Sequence, residues 1–132
     1  MPANSYDPTR VNIFAKTHRI VGFAEGTMIN GSRNTDKQSL NIGSKGEATF
    51  VQSADKSGTV EITLKHNSAS LEYLNRLFKT GEKFPLTAGY AGGSDRISGT
   101  EAKVASMGDY ERSDDVSDKT ITILVADYDE FY

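Results

Sequence analysis

The stretch that decides the fold is VQSADKSGTVEITLKHNSASLEYLNRLFKTG, residues 51–81. It begins with a cluster of Ser, Asp, Lys and Gly, a composition typical of a turn. Residues 59–65 then alternate between polar and apolar side chains, with Val60, Ile62 and Leu64 on one face. This period of two predicts an antiparallel strand that is buried on one side only. The opposite, polar face of the strand carries Thr59, Glu61, Thr63 and Lys65.

A helix is predicted directly after this strand, at about residues 69–80. Its apolar side chains recur at a spacing of three and four residues, at Leu71, Leu74, Leu77 and Phe78. Ser68 or Ser70 is placed to cap its start, and Gly81 suits a left-handed stop. Because a helix of about ten residues is marginal alone, its apolar stripe must pack on the sheet. We expect Leu71, Leu74 and Phe78 to cover the preceding strand.

The alternation recurs on both sides of this unit. Residues 11–15 and the following HRIVGF predict two early strands, and KTITILV at 119–125 predicts a late one. Weaker strands fit residues 46–52, 84–91 and 97–107. In contrast, Gly26–Ser39 has no clear period and predicts a long functional or mobile loop. The fold class that follows is mainly β, an antiparallel β-barrel or sandwich of about seven strands with one α-helix.

The length of 132 residues, without a repeat or linker, predicts a single domain spanning residues 1–132. No apolar run approaches the roughly 20 residues that span a bilayer, and the N-terminus lacks the pattern of a signal peptide. We therefore expect no membrane insertion and residence in a cytosol. The absence of cysteine excludes disulfides and Cys-based zinc sites.

The charge is unevenly distributed along the chain. Residues 106–132 hold eight acidic and two basic residues, a net charge of −6, whereas the remainder holds ten acidic and 13 basic residues, a net charge of +3. This asymmetry argues against tight binding of nucleic acid, which needs a basic surface, but it allows loose passage of DNA along an acidic one. The terminal ADYDEFY predicts either a tail docked on its own domain or one presented to a partner.

No pattern of catalytic, cofactor-binding or metal-binding residues stands out. The only histidines are His18 and His66, and no nucleophile elbow marks a Ser-His-Asp triad. The segment AGYAGGSD lacks the spacing of a phosphate-binding loop, and neither SDDVSD nor ADYDE matches an EF-hand loop. We therefore expect no enzyme, no cofactor and no metal. A small hydrolase is the least favoured alternative, and a carbohydrate- or protein-binding β-sandwich stays open, although such modules more often carry exposed Trp.

Specific runs of residues carry a resemblance to a known family. They are Gly22-Phe23-Ala24-x-Gly26-Thr27, Arg33-Asn34-x-Asp36, and Asp55-Lys56-Ser57-Gly58-Thr59 leading into the alternating strand. With these runs and its terminal ADYDEFY, the chain from about residue 10 to 132 resembles the tail tube proteins of contractile-tailed bacteriophages. Lys45 in the SKGE turn and the length of the SDDVSD insert depart from the family pattern.

The resemblance implies a rolled antiparallel β-sheet or β-barrel with one flanking α-helix. It also implies a structural protein of the virion, without catalysis or cofactor. In that family, copies form hexameric rings that stack into a hollow tube, which is assembled in the bacterial cytoplasm and through which DNA is ejected. The implied partners are further copies of the chain, the tail sheath protein, the tape-measure protein, the baseplate hub and tail terminator proteins, and DNA in transient, non-specific passage. A tube-end or baseplate-adjacent protein is the alternative within the same class.

Assembly also follows from general properties of β-sheets. Open edges can pair with another chain, and such head-to-tail contacts close into a ring when the rotation fits. We predict that the assembly interface includes Arg33, Asn34, Asp36, Lys37, Glu61, Lys65, Asp114, Asp115 and Asp118. As a further hypothesis, part of the acidic C-terminal region, or acids on the polar strand faces, lines the lumen and repels the phosphates of passing DNA.

Overall fold

Eight of the ten strands in the described part of the chain form one antiparallel sheet. The structure is a computed structural model, and it describes residues 11–23, 29–90, 93–110 and 118–132. The elements are β1 Val11–Ala15, β2 His18–Arg19, β3 Ile29–Arg33, β4 Gln38–Ile42, β5 Ala48–Gln52, β6 Gly58–Lys65, α1 Ser70–Thr80, β7 Phe84–Tyr90, β8 Arg96–Ser106, β9 Asp118–Val125 and β10 Asp129–Phe131. The predicted mainly β class with one helix is confirmed, with more strands than predicted.

The large sheet is rolled but does not close into a barrel. Its order is β2-β1-β7-β8-β9-β6-β3, and β10 pairs with β8 outside this path. The segment after β2 joins the two ends of the roll, because the Ile20 amide donates to the Ile13 carbonyl of β1 at 2.8 Å while the Lys65 amide of β6 donates to the Gly22 carbonyl at 2.8 Å. A single bridge between Phe23 and Leu64 continues this contact. Of the predicted architectures, the rolled sheet is the one found.

The core lies inside the roll, where the predicted strand faces meet. Val60, Ile62 and Leu64 of β6 are fully buried, as their alternation predicts. They lie beside the buried residues of β9, which are Ile121, Ile123 and Val125. The rest of the core comprises Ile13, Ala15, Ile20, Leu74, Leu77, Phe84, Leu86, Ala88, Ala102, Val104 and Tyr128. The polar face of β6 points away from this core, so the half-buried character of the strand is confirmed.

The helix occupies Ser70–Thr80, close to its predicted bounds, but it presents a different stripe to the core. Its buried residues are Ser70, Leu74 and Leu77, whereas Phe78 is 41% exposed and the prediction that it covers β6 is wrong. The cause is Ser70, whose hydroxyl accepts a hydrogen bond from the Val21 amide at 2.9 Å and holds that side of the helix inward. No helix in the described ranges is long and apolar enough to cross a membrane.

Both predicted ends of the helix have a recognisable basis. The Ser68 hydroxyl accepts a hydrogen bond from the Ser70 amide at 3.2 Å, so Ser68 stabilises the first turn although Ala69 is the N-cap residue. Gly81 has a φ of 68°, and its amide donates to the Leu77 carbonyl. The left-handed stop is therefore confirmed.

The prediction of a loop from Gly26 to Ser39 is wrong for residues 29–33 and 38–39, whereas residues 34–37 lie outside any strand. Residues 29–33 form β3, which pairs with β6 from Ile29 opposite Ile62 to Arg33 opposite Gly58, and β4 begins at Gln38. Residues 24–28 lie outside the described ranges. Asn, Gly and Ser are poor strand formers, so the central residues of β3 give no strand signal. Backbone pairing at the sheet edge stabilises the strand instead.

The remaining two strands, β4 and β5, form a separate hairpin. All ten of their residues are exposed. The predicted GSKGE turn connects them, with the Gly43 amide donating to the Glu47 carbonyl at 2.7 Å and Gly46 at a φ of 82°. This hairpin has no packed core of its own.

Two register shifts bend the long strand β8. In the pairing with β7, Phe84 lies opposite Ala102 and Leu86 lies opposite Gly99, so an advance of two residues along β7 corresponds to three residues along β8. A second irregularity lies between Val104 and Ser106 in the pairing with β9. On one side, β8 pairs first with β10 and then with β9. Such bulges bend a strand and increase its twist, which helps the sheet to roll.

Replacing Gly58 by Ala should destabilise the fold strongly. A Cβ at this position would overlap the buried ring of Tyr128, which cannot move away from the sheet. We expect the free energy of unfolding to fall by about 3 kcal/mol, the upper part of the range for overpacking. The measurement is urea denaturation followed by circular dichroism.

Gly43→Ala is the matched control for this prediction, because a Cβ there meets only ordinary contacts from 3.7 Å outward. Equal unfolding midpoints for the two variants would contradict the assigned packing of Tyr128.

Candidate functional site

The C-terminal segment is docked on the sheet, one of the two predicted arrangements. Tyr128 is 2% exposed, and its ring packs against Gly31 and Gly58. From β3, the Arg33 guanidinium donates to the Tyr128 carbonyl at 3.2 Å and to Asp129 Oδ1 at 3.1 Å, and it lies 5.7 Å from the Tyr128 ring centre. The segment therefore joins two elements, β3 and β8, that are far apart in the sequence.

Glu130 organises the hydroxyls of this segment. It accepts hydrogen bonds from the Tyr128 hydroxyl and, at 2.9 Å, from the Tyr132 hydroxyl. The bond from Tyr128 lowers the pKa of Glu130 below its ordinary value, and burial followed by this bond raises the pKa of Tyr128. Tyr132 itself is 90% exposed, so the last residue is available to a partner.

Asp127 stabilises the first bulge of β8. Its carboxylate accepts hydrogen bonds from the Thr100 amide at 2.9 Å, the Thr100 hydroxyl at 2.6 Å and the Glu101 amide at 3.0 Å. These amides lie between the part of β8 that pairs with β10 and the part that pairs with β9, where no strand partner reaches them. The hydrogen bond from the Thr100 hydroxyl is the main reason why the pKa of Asp127 falls to about 2.

A polar cluster attaches the β4–β5 hairpin to the sheet. The Asn34 side chain donates to the Ser57 hydroxyl at 2.9 Å and accepts from the Thr59 hydroxyl at 2.7 Å. Asp55 accepts from the Ser57 amide at 2.9 Å, from its hydroxyl at 2.7 Å and from the Thr35 hydroxyl at 2.7 Å. Led by the bond from the Ser57 hydroxyl, these contacts lower the pKa of Asp55 to about 2. The cluster fixes the direction in which the hairpin leaves the body.

The predicted interface residues that the structure describes fall in two groups, and the hydrogen bond from the Thr59 hydroxyl of β6 to Asn34 joins the first group to the outer face that carries the second. Arg33, Asn34, Asp36 and Lys37 lie at the root of the hairpin, whereas Glu61, Lys65 and Asp118 lie on the outer face of the large sheet. Arg33 and Asn34 are engaged inside the chain, and Asp36 and Lys37 are exposed. Asp114 and Asp115 lie outside the described residues.

Three of the five acids that the structure describes in the C-terminal region have partners within the chain. Asp127 binds the amides of the β8 bulge, and Asp129 pairs with Arg33. Glu130 accepts hydrogen bonds from the hydroxyls of Tyr128 and Tyr132. On the outer face of β6, β8 and β9 the charged residues are Glu61, Glu101, Asp118, Lys65, Arg96 and Lys103. Three acids and three bases leave no net charge on this face.

The residues missed by the sequence interpretation are apolar and exposed. In the hairpin, Leu40 is 55%, Ile42 56% and Phe50 77% exposed. Leu40 and Phe50 are cross-strand partners, and Ile42 opposite Ala48 extends the same face. Alternation in LNI and in ATFV, on both sides of a glycine turn, is the signal that could have identified this face.

A shallow groove on the outer face of the large sheet is also apolar. It measures about 410 Å³, and Leu124, which is 48% exposed, lies in it together with Gly58, Val125 and Ala126. The charged residues around it are Lys83, Glu101 and Lys103. The hairpin face and this groove are two separate apolar surfaces on one chain.

His18 is not part of a catalytic triad in the described residues. The His18 Nε2 lies 3.0 Å from the Ser70 hydroxyl oxygen, and the His18 ring stacks on Tyr73 at 4.3 Å between centres. Ser70 is fully buried, so no substrate reaches its hydroxyl, and in the described ranges no carboxylate bonds to His18 to complete a triad. Within the same ranges no group of acidic and histidine side chains could hold a metal ion.

Solved structures share this fold over nearly its whole length. A chain in the cryo-EM structure of the anti-feeding prophage cap, which terminates that particle's tube, matches with a TM-score of 0.65 at 12% identity and covers 98% of this chain and 93% of that chain. A chain in the sheath–tube complex of the extracellular contractile injection system PVC, in its extended state, matches with a TM-score of 0.64 at 12% identity over 96% and 90% of the two chains.

A chain in the virion of a native gene transfer agent particle matches with a TM-score of 0.67 at 13% identity over 97% of this chain and 99% of that chain. No protein-family model and no curated protein matches the sequence. At such low identity the likeness establishes the fold alone, and the predicted tail-tube-like fold is confirmed.

Asp127→Asn should weaken the fold in a pH-dependent way. The carboxylate has a folded-state pKa of about 2, below its ordinary 3.8, so the unfolded chain binds more protons between these values. Its stabilisation is therefore present above about pH 4 and is lost as the pH falls toward 2. At pH 7 we expect a loss of about 1–2 kcal/mol, the lower part of the range for charged hydrogen bonds because the site is open to solvent.

The measurement is urea denaturation of both proteins at several values between pH 2 and pH 7. The difference between wild type and variant should shrink toward pH 2, and Asp36→Asn, which removes an exposed carboxylate without a side-chain partner in the described ranges, is the control. A difference that is independent of pH would contradict the role of the charge.

Proposed function

We propose that this protein is the repeating subunit of the inner tube of a contractile phage-type tail. Its copies associate head to tail into rings, and the rings stack into a hollow conduit. The observation that carries the proposal is the fold shared along 96–98% of the chain with chains from a tube cap and a sheath–tube complex. On this proposal, residues 1–132 act as one structural domain without catalytic activity.

The surface of the chain supports self-association. Among the described residues, β3 pairs with β6 on one side only, so its outer edge can accept a strand from another copy. The apolar hairpin face and the apolar groove are different surfaces, so a contact between them is heterologous and continues from copy to copy. If the rotation between neighbouring copies closes, the contact gives a ring. We propose six copies per ring, as in the family that the sequence resembles.

The wider assembly follows from the same proposal. The tube would carry the tail sheath on its outside, the tape-measure protein in its lumen, and hub and terminator proteins at its ends, in a virion assembled in the bacterial cytoplasm. DNA would pass through without specific contacts. Acidic residues of the C-terminal region, with Asp114, Asp115 and Asp118 as candidates, would line the lumen and repel phosphates.

A tube-end protein is the second candidate function. The observation that favours it is the match to chains in structures described as a tube-terminating cap and a sheath/tube terminator. A terminator forms a single ring because one of its two ring faces does not stack, whereas a tube subunit stacks without limit. Stacking therefore distinguishes the two functions.

Size-exclusion chromatography and negative-stain microscopy of the concentrated protein test this proposal. We expect rings, and tubes of variable length for a main tube subunit. Rings that never stack would favour the terminator, and a protein that stays monomeric at high concentration would contradict both functions. In a structure of the assembled tube, a basic lumen would contradict the proposed acidic lining.

Asp36→Ala and Lys37→Ala should separate assembly from folding. Both side chains are exposed at the hairpin root and have no internal bond in the described ranges, so we expect an unchanged melting temperature and a several-fold loss of assembled material. Glu72→Ala, on the exposed side of α1, is the control. Undiminished tube yield would remove these residues from the interface.

Arg33→Ala is expected to behave differently from these variants. Because Arg33 binds the Tyr128 carbonyl and Asp129 within the chain, its loss should lower the melting temperature of the unassembled protein as well.

A further inference from the structure

We propose that the β4–β5 hairpin of each copy docks, through Phe50 and Leu40, in the Leu124 groove of a second copy of this chain. The inference rests on the proposed self-assembly and names the surfaces that make it. The hairpin supplies a projecting apolar face, and the groove supplies an exposed apolar floor.

The hairpin needs a partner on physical grounds. A two-stranded hairpin without a packed face is marginally stable in water at best. Here all ten strand residues are exposed, and Leu40, Ile42 and Phe50 lie on one face. The polar cluster of Asp55 and Asn34 fixes only the root of the hairpin. The apolar face of the hairpin is therefore exposed and can pack against a surface outside the hairpin.

The groove fits such a face in shape and charge. Its lining residue Ala126 is small and exposed, which leaves room beside Leu124 for an aromatic ring. Lys83 and Lys103 also line the groove, and a lysine ammonium group can contact the face of an aromatic ring. Between residues 38 and 52 the only charges are Lys45 and Glu47, so the hairpin brings one carboxylate that can pair with these lysines.

The chain's own hairpin does not occupy its own groove. Phe50 is 77% and Leu124 48% exposed in the single chain, although Asn34 and Ser57 at the hairpin root line the groove. The contact must therefore form between copies. One copy then uses its hairpin toward one neighbour and its groove toward the other, which is the arrangement of a ring.

The area involved favours a closed ring over an isolated dimer. The exposed parts of Phe50, Leu40 and Ile42 amount to an apolar area on the order of 250 Å². A stable interface buries about 800 Å² on each partner, so a single hairpin contact is too small to hold a dimer by itself. Closure allows every copy to make the contact twice, with the outer edge of β3 adding further area.

Cysteine cross-linking tests the contact directly, because the chain contains no cysteine. Phe50→Cys and Leu124→Cys are prepared as separate chains, mixed under assembly conditions and oxidised with copper phenanthroline. We expect a disulfide-linked dimer in the mixture and not with either variant alone. Val51→Cys, on the opposite face of the hairpin, replaces Phe50→Cys in the matched control and should give no dimer.

The energetic test uses Phe50→Ser against Val51→Ser. We expect Phe50→Ser to raise the concentration needed for assembly at least about tenfold, the loss typical of an aromatic residue at the centre of an interface. Val51→Ser should change it little. A circular dichroism melt of each variant shows whether its monomer is folded. If the Phe50→Ser monomer is unfolded, the cysteine cross-link alone tests the contact.

Each adverse outcome has a distinct meaning. If the wild type assembles but the mixture gives no dimer and Phe50→Ser assembles normally, the hairpin contact is wrong while the proposed function stands. If a chain with both cysteines cross-links within a monomer, its own hairpin fills the groove, and the inference is overturned. If the wild type never assembles, the inference and the proposed function both fail.

Discussion

The packing of Tyr128 against two glycines is the contact on which the rest of the structure depends. Gly31 of β3 and Gly58 of β6 leave the space that its ring fills, and Arg33 binds its carbonyl. Without this contact the edge strand β3, whose own residues have little strand propensity, would lack a partner on its inner side. The C-terminal segment thus stabilises the edge of the sheet from which the hairpin extends.

Asp127 and Asp55 stabilise irregular parts of the sheet through hydrogen bonds to their carboxylates. Each carboxylate accepts several hydrogen bonds at a place where the regular ladder of the sheet is interrupted, a bulge in one case and the hairpin root in the other. Buried or half-buried amides need an acceptor when no strand supplies one. The acidity of the C-terminal region suggests a lumen lining when read as a charge pattern, but three of its acids, Asp127, Asp129 and Glu130, have partners within the fold.

The regular elements could be predicted from the sequence, and the surfaces could not. Strand β6 and helix α1 follow from local periodicity, since alternation and three-to-four spacing reflect one buried face. Strand β3 was missed because its Asn, Gly and Ser are stabilised by a partner strand rather than by their own propensity. Phe78 was misplaced because Ser70, bonded to the Val21 amide, turns the helix.

The sequence by itself determined the mainly β class, the helix and its stop, and the resemblance to tail tube proteins. Each of these depends on patterns of residues that are close together in the chain. Only the tertiary structure decided that Arg33 and Asn34 have internal partners, that the apolar hairpin face stays exposed, and that a groove forms around Leu124. These features join residues from distant strands, and pairing across a rolled sheet has no local signature from which they could be predicted.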